Sequence, residues 1–207
     1  MKKLIISPHI DDEVLGCGGI LDKDTFVIYC GKDEKHITQE WIKERPTDDV
    51  RMAELKRVVS ITNHKYTILD NKVNYYKLQD LLESIEKTIN EIKPNEVYIP
   101  HPSYNQDHRT SYEASLTALR PHDLNHFVKK VFIYEQPHML FWDDKDFKPN
   151  YFVPIDIERK IKLYEIMETQ VRKFRSIEHI KAMSKLRGGQ SNCEYAEAFK
   201  IIRWVNG

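Results

Sequence analysis

LIISPHIDDEVLGCGGIL, running from Leu4 to Leu21, decides how the rest of the chain is read. Leu4, Ile5 and Ile6 are a short apolar run of the kind that forms a buried strand. A charged turn follows, SPHIDDE from Ser7 to Glu13, and then a Gly-rich helix start in which Gly16, Gly18 and Gly19 allow close packing. Strand, turn and helix in that order open a β–α alternation, and the alternation continues.

Thr25 to Tyr29 reads as a second strand. Residues 31–46 are polar and end at Pro46, which predicts a mobile loop containing a helical piece. Thr47 is placed to cap a helix whose apolar residues Ala53, Leu55, Val58, Val59 and Ile61 face a core. Tyr66 to Leu69 is a third strand. Leu78, Leu81, Leu82, Ile85, Ile89 and Ile92 recur at helical spacing until Pro94 stops them. Val97 to Ile99 is a fourth strand, Tyr112 to Leu119 a helix ended by Pro121, and Val131 to Tyr134 a fifth strand. Phe152 and Val153 form a short sixth. Ile157 to Val171 and Ile177 to Leu186 read as helices, and Phe199 to Val205 as a closing strand. This is the pattern of an α/β fold: a single Rossmann-like domain over residues 1–207, its mostly parallel sheet flanked by helices on both faces.

Composition narrows the function. Lys+Arg and Asp+Glu both number 32, so no net charge draws the chain to nucleic acid or to a membrane surface. Cys17, Cys30 and Cys193 are odd in number and widely spaced, which fits reduced cytoplasmic thiols rather than a disulfide framework or a zinc cage. The apolar part of MKKLIIS is too short for a signal peptide, and no stretch approaches the ~20 apolar residues of a spanning helix.

In a parallel α/β sheet, ligands bind beyond the carboxyl ends of the strands, and SPHIDDE lies just past the end of the first. Crowding Asp11, Asp12 and Glu13 into one turn is costly unless a cation offsets the repulsion. His9 and Asp12 converge on one ion if the chain turns there. A second cluster, HPSYNQDHRT from His101 to Thr110, follows the fourth strand at the same edge of the sheet. His108 from that cluster completes a two-histidine, one-carboxylate set, and three protein ligands with an open position describe a catalytic site.

PHIDDEVLGCGG and NQDHR together resemble the two metal motifs of the PIG-L/LmbE-like de-N-acetylases, which remove acetyl groups from N-acetylglucosamine derivatives. RMAEL at Arg51, LDNKV at Leu69, DHRTSYEASLTALRP and RGGQSNCEYAEAF extend the likeness over nearly the whole chain. The resemblance implies a zinc hydrolase, with another divalent metal such as Fe2+ as the alternative. His9, Asp12 and His108 match the metal ligands, Asp11 the general base, and Arg51 a substrate contact. The local alternative for Arg51 is an ion pair with Glu54 or a solvated place on its helix. Many members of the family have His-x-Asp-His where this chain has Asn105-Gln106-Asp107-His108. Asn105 therefore stands where a histidine is often assigned to the oxyanion, and an amide donates a hydrogen bond without carrying charge. Asp107 is expected to orient His108.

His138, in YEQPHM after the fifth strand, is a further pocket candidate and the alternative oxyanion donor. Asp70 and Asn71 follow the third strand and could bind sugar hydroxyls or simply make a turn. His101 lines the site or caps the fourth strand. The basic residues of VRKFRS read as a solvated helix face. The implied partner is a small amino-sugar conjugate. Neither nucleic acid nor stable membrane insertion is expected, and assembly into homo-oligomers stays open. The competing functions are a metal phosphoesterase or nucleotide-processing hydrolase, and a non-catalytic sugar- or nucleotide-binding domain.

Overall fold

Seven strands make one sheet in the computed structural model, which describes residues 2–32, 47–140 and 147–206. They are β1 (Lys3–Ser7), β2 (Thr25–Tyr29), β3 (Lys65–Ile68), β4 (Glu96–Pro100), β5 (Lys130–Tyr134), β6 (Tyr151–Pro154) and β7 (Ala196–Trp204). Their order across the sheet is β3-β2-β1-β4-β5-β7-β6. The first five are mutually parallel, and β7 runs antiparallel to both β5 and β6. The helices are α1 (Asp12–Cys17), α2 (Asp48–Thr62), α3 (Leu78–Ile92), α4 (Gln106–Ala118), α5 (Ile157–Ile166) and α6 (Ile177–Gln190). The loop read over residues 31–46 falls almost wholly outside the described residues.

Alternate residues of the central strand feed two cores, as the two-residue period of a strand requires. Ile5 packs with Val14 and Leu15 of α1, Leu55 and Val58 of α2, Ile161 and Leu163 of α5 and Ile180 of α6. Leu4 and Ile6 face the other way, onto Leu81, Ile85 and Ile89 of α3 and Ala114 and Ala118 of α4. The helix α1 lies tight on the sheet at Gly16, where an added Cβ would sit 2.3 Å from Cδ2 of Tyr134.

The order of strand addition reverses between β1 and β4: the chain winds from β1 outward through β2 to β3, then returns to the other flank of β1. That is the switch point at which open α/β sheets bind ligands, and both charged clusters emerge there.

Three elements differ from their sequence reading. The helix α4 begins at Gln106, six residues before Tyr112, because Asn105 caps it, its Oδ1 accepting from the Asp107 amide at 2.8 Å. At the other end of the chain, α5 stops at Ile166 instead of reaching Val171. Glu54 takes the Thr169 amide at 2.9 Å and the Thr169 hydroxyl at 2.7 Å, which draws the chain into the short 3-10 turn Glu168–Gln170. As a result VRKFRS is no helix face but an irregular turn with an isolated bridge between Arg172 and Arg175.

Candidate metal centre and cleft

The turn Pro8–Asp12 is irregular and largely buried, so its carbonyls need donors from elsewhere. They have them. Tyr76 donates its hydroxyl to the Pro8 carbonyl at 2.6 Å, Ser7 its hydroxyl to that of His9 at 2.7 Å, and Arg51 its Nη2 to that of Ile10 at 2.6 Å. Gln136 Nε2 donates to the Asp12 carbonyl at 3.3 Å. The Asp11 carbonyl accepts from Val14 and Leu15 at the start of α1. Side chains from β1, α2, the β5 exit and the segment before α3 thus fix the backbone that carries His9, Asp11 and Asp12.

His9 Nδ1 and His108 Nε2 each lie 3.3 Å from Asp12 Oδ2. The three ligand atoms of His9, Asp12 and His108 are all within 4.8 Å of one another. A tetrahedral ion with bonds of about 2.0–2.1 Å separates its ligands by roughly 3.3 Å, so two of the three spacings already fit. The other ring nitrogen of His9, Nε2, meets Asp107 Oδ2 at 3.0 Å, and the same oxygen accepts from the Asn74 amide at 2.7 Å. Asp107 therefore orients His9 and not His108. Consecutive residues on a helix do not face each other, and Nδ1 of His108 is buried without a hydrogen bond.

The electrostatics tell the same story. Burial works against a charged His9. The hydrogen bonds to Asp107 and Asp12 and the charges of Asp12 and Asp11 together outweigh it, raising the imidazole to about 10. Burial likewise opposes an ionised Asp12, yet His108 and His9 hold it well below the usual carboxylate range. A proton on His9 thus stands where a cation would. Two imidazole nitrogens and one carboxylate oxygen suit Zn2+, and this donor set also suits Fe2+.

Asp11 stands beside this group without belonging to it. Its Oδ2 accepts from Arg175 Nη1 at 2.8 Å, and Arg175 Nη2 is held in turn by Gln170 Oε1 at 3.0 Å. Oδ1 of Asp11 has no hydrogen bond among the described residues. Asn105 spends its oxygen on capping α4, which leaves the NH2 as the half of the amide available to a ligand. His138 sits in a 3-10 turn after β5, its ring edge-on to His108 at 5.5 Å and to Tyr104 at 5.2 Å. Its Nε2 is buried without a partner. Burial, and after it the neighbouring His108, press its imidazole down to about 3, so the ring is neutral.

These groups line one cleft of about 300 Å³, together with Arg51, Val73, Asn74, Gln170 and the turn residues Arg172, Phe174 and Arg175. The cleft thus brings together His9, Asp11, Asp12, Arg51, Asn105, His108 and His138. Among the described residues no ion pair joins Arg51 to Glu54, whose oxygens accept from Thr169, and Arg51 is buried rather than solvated. Asp70, Asn71 and His101 lie outside the lining among the described residues. Asp70 is exposed 3.9 Å from Lys32, Asn71 donates to the Cys30 carbonyl at 2.7 Å, and His101 is buried edge-on to Phe147 at 5.6 Å. Asn74 and Arg175 were not legible as site residues. Asn74 works through its backbone amide, and Arg175 meets its partner across 164 positions of sequence.

Fold and site define a parallel α/β protein with a two-histidine, one-carboxylate group at the sheet's switch point. The chain belongs to the PIG-L family, whose profile, GlcNAc-PI de-N-acetylase, matches residues 4–119. No curated protein matches it at a significant level in sequence. Among solved structures it is similar to N,N'-diacetylchitobiose deacetylase of Pyrococcus horikoshii, with 19% identity, 98% of this chain and 84% of that one covered, and a TM-score of 0.80. It is similar also to the zinc-inhibited form of teicoplanin deacetylase, with 17% identity, full coverage of both chains and a TM-score of 0.72. A third is GalB, the 4-carboxy-2-hydroxymuconate hydratase of Pseudomonas putida, with 21% identity, 100% and 99% coverage and a TM-score of 0.73. At these identities the likeness is one of fold.

Proposed function

We propose that the chain is a metal-dependent de-N-acetylase that hydrolyses the acetamide of an N-acetylglucosamine-type conjugate, with Zn2+ as the metal and the cytoplasm as its compartment. The observation that carries this reading is the joint presence, in one cleft of a PIG-L family chain, of the His9–Asp12–His108 group and a separate carboxylate, Asp11. The three free cysteines accord with a reducing compartment. No helix among the described residues is long and apolar enough to cross a membrane.

His9, Asp12 and His108 would hold the ion. When bound, it supplies Lewis acidity, polarising an amide carbonyl and making water more acidic. The remaining work belongs to the chain. Asp11 accepts the proton of the attacking water at Oδ1, while Arg175 keeps Oδ2 in place. The same carboxyl then delivers that proton to the departing amine nitrogen as the C–N bond breaks, giving free amine and acetate. The NH2 of Asn105 donates to the oxygen that gains charge as the carbonyl becomes tetrahedral, and the neutral N–H of His138 is the alternative donor. A phosphoesterase with two metals would call for a second carboxylate group, and the one metal-binding group among the described residues is His9, Asp12 and His108.

Elemental analysis of the purified protein, paired with an amine-release assay on N-acetylglucosamine conjugates, tests the reading. About one divalent ion per chain is expected, with its loss and the loss of amine release in His108→Ala. Wild-type metal content in that variant would refute the ligand set.

A further inference from the structure

Residues 71–76 lie in the connection from β3 to α3 and touch both charged clusters. They are built around one turn. The Tyr75 amide donates to the Lys72 carbonyl at 3.0 Å, and Asn74, third of these four residues, has a φ of 72°. A positive φ at that position is the mark of a type II turn, which glycine and asparagine fill at least cost. The segment is seated closely on the end of β2. At Gly31 an added Cβ would lie 2.5 Å from the Asn71 carbonyl oxygen and 2.6 Å from the Tyr76 hydroxyl, and the Asn71 side chain donates to the Cys30 carbonyl at 2.7 Å.

From this seat the segment reaches His9 in two ways. The Asn74 amide donates to Asp107 Oδ2 at 2.7 Å, and that oxygen meets His9 Nε2 at 3.0 Å. Tyr76 donates its hydroxyl at 2.6 Å to the carbonyl of Pro8, the residue before His9. The Asn74 side chain adds a tie to α4, its Oδ1 accepting from Gln106 Nε2 at 3.0 Å. Ring and backbone of His9 are thus both held by a segment that supplies no ligand itself. The other ring nitrogen, Nδ1, is the one that lies 3.3 Å from Asp12 Oδ2. A histidine whose second nitrogen meets an oriented carboxylate is kept in one tautomer and one rotation, and loss of such supporting partners weakens metal binding by about 10–100-fold.

We propose that residues 72–76 set the affinity of the metal centre: Asn74 is a positioning residue that acts on the His9 ring through Asp107, and Tyr76 one that acts on the His9 backbone through Pro8. This rests on the ligand set of the proposed function and holds whichever amide is cleaved.

The test is chelator competition on the full chain loaded with Zn2+, which reads affinity without turnover. Asn74→Gly keeps both the amide and the left-handed backbone, so its affinity should stay close to wild type. Asn74→Val keeps the amide but resists a positive φ, so the turn should shift and affinity fall by about tenfold or more. Tyr76→Phe keeps the ring, guards against a valine variant that does not fold, and should weaken binding about two- to tenfold, the worth of one hydrogen bond. Asp107→Ala separates positioning from general support. Because Asn74 acts through Asp107, Asn74→Val should cost little further affinity in the Asp107→Ala background. A merely structural turn would lower the stability of the metal-free variants and leave the affinity of the folded chain unchanged. Wild-type affinity in Asn74→Val, or in Tyr76→Phe should the first not fold, would overturn the proposal, as would an Asn74→Val loss undiminished in the Asp107→Ala background. Amine release from N-acetylglucosamine conjugates is scored separately. The expected affinities without amine release would sink the deacetylase reading alone, and a wild type that binds no Zn2+ would sink both.

Discussion

Arg175 shows how a residue can be decisive for a site and silent in the sequence. A carboxylate acting as a proton acceptor must be oriented, and Asp11 has one oxygen fixed at 2.8 Å by Nη1 of Arg175 while the other stays free. Removing the proposed acid–base group, Asp11→Asn, should keep both metal and fold and lower kcat by roughly 10²–10⁴-fold, the usual contribution of such catalysis. Steady-state kinetics beside metal analysis checks this, and near wild-type turnover would end the role. His9, Asp12 and His108, which the structure brings together, were legible as a group because SPHIDDE and NQDHR are short, local and chemically loaded. Arg175 was not, because nothing around it marks one basic residue of VRKFRS as different from the others. Asp107 was legible as a supporting carboxylate but was assigned to the wrong histidine: sequence adjacency favours His108, whereas helix geometry turns the two side chains apart and gives Asp107 to His9.

At the scale of elements, the strands and most helices could be read because β–α units carry their periodicity locally. Every strand appears within a few residues of its expected place. The errors fall where a tertiary contact overrides local pattern. The apolar pattern Ile157–Val171 continues past Ile166, but Glu54 of α2 captures Thr169 through two hydrogen bonds, and the helix yields to a tighter turn. That contact carries the cleft wall with it, because Gln170 is the next residue and grips Arg175. Glu54→Ala strips acceptors from a buried amide and a hydroxyl at once, so it should cost about 1–3 kcal/mol in chemical denaturation. The local signature is sharper than the global one: amide exchange should accelerate over residues 168–176 more than in α3 or β4, which lie outside this turn. Uniform acceleration would show that Glu54 supports the whole fold and not this turn.

At the scale of the whole molecule, the site at the switch point leaves a signature in stability against pH. His9 is raised to about 10, opposed by burial but lifted further by Asp107 and Asp12. Glu13, buried behind the turn and next to the charge of Asp11, is raised to about 8. A group raised in the folded state keeps its proton there when the unfolded chain has lost it. For His9 the stabilisation is full below its ordinary value near 6.5 and drains away as pH rises to about 10. For Glu13 the same sign applies from its ordinary value near 4.5 up to about 8, because the folded state resists its ionisation. Between pH 7 and 8 both act together. His64 and His138, pressed down by burial to about 4 and about 3, oppose this weakly just above neutrality, so metal-free protein should lose stability with rising pH at a slope of more than one proton, each worth about 1.4 kcal/mol per pH unit. On the proposed ligand set saturating Zn2+ takes the place of the His9 proton, so the slope should fall by about one proton, and His9→Gln without metal should show the same reduction. Denaturation curves at several pH values, with chelator and with metal, read this directly. Equal slopes with and without the ion would mean that the cation and the His9 proton do not compete for one place, and the ligand assignment of His9 would fail.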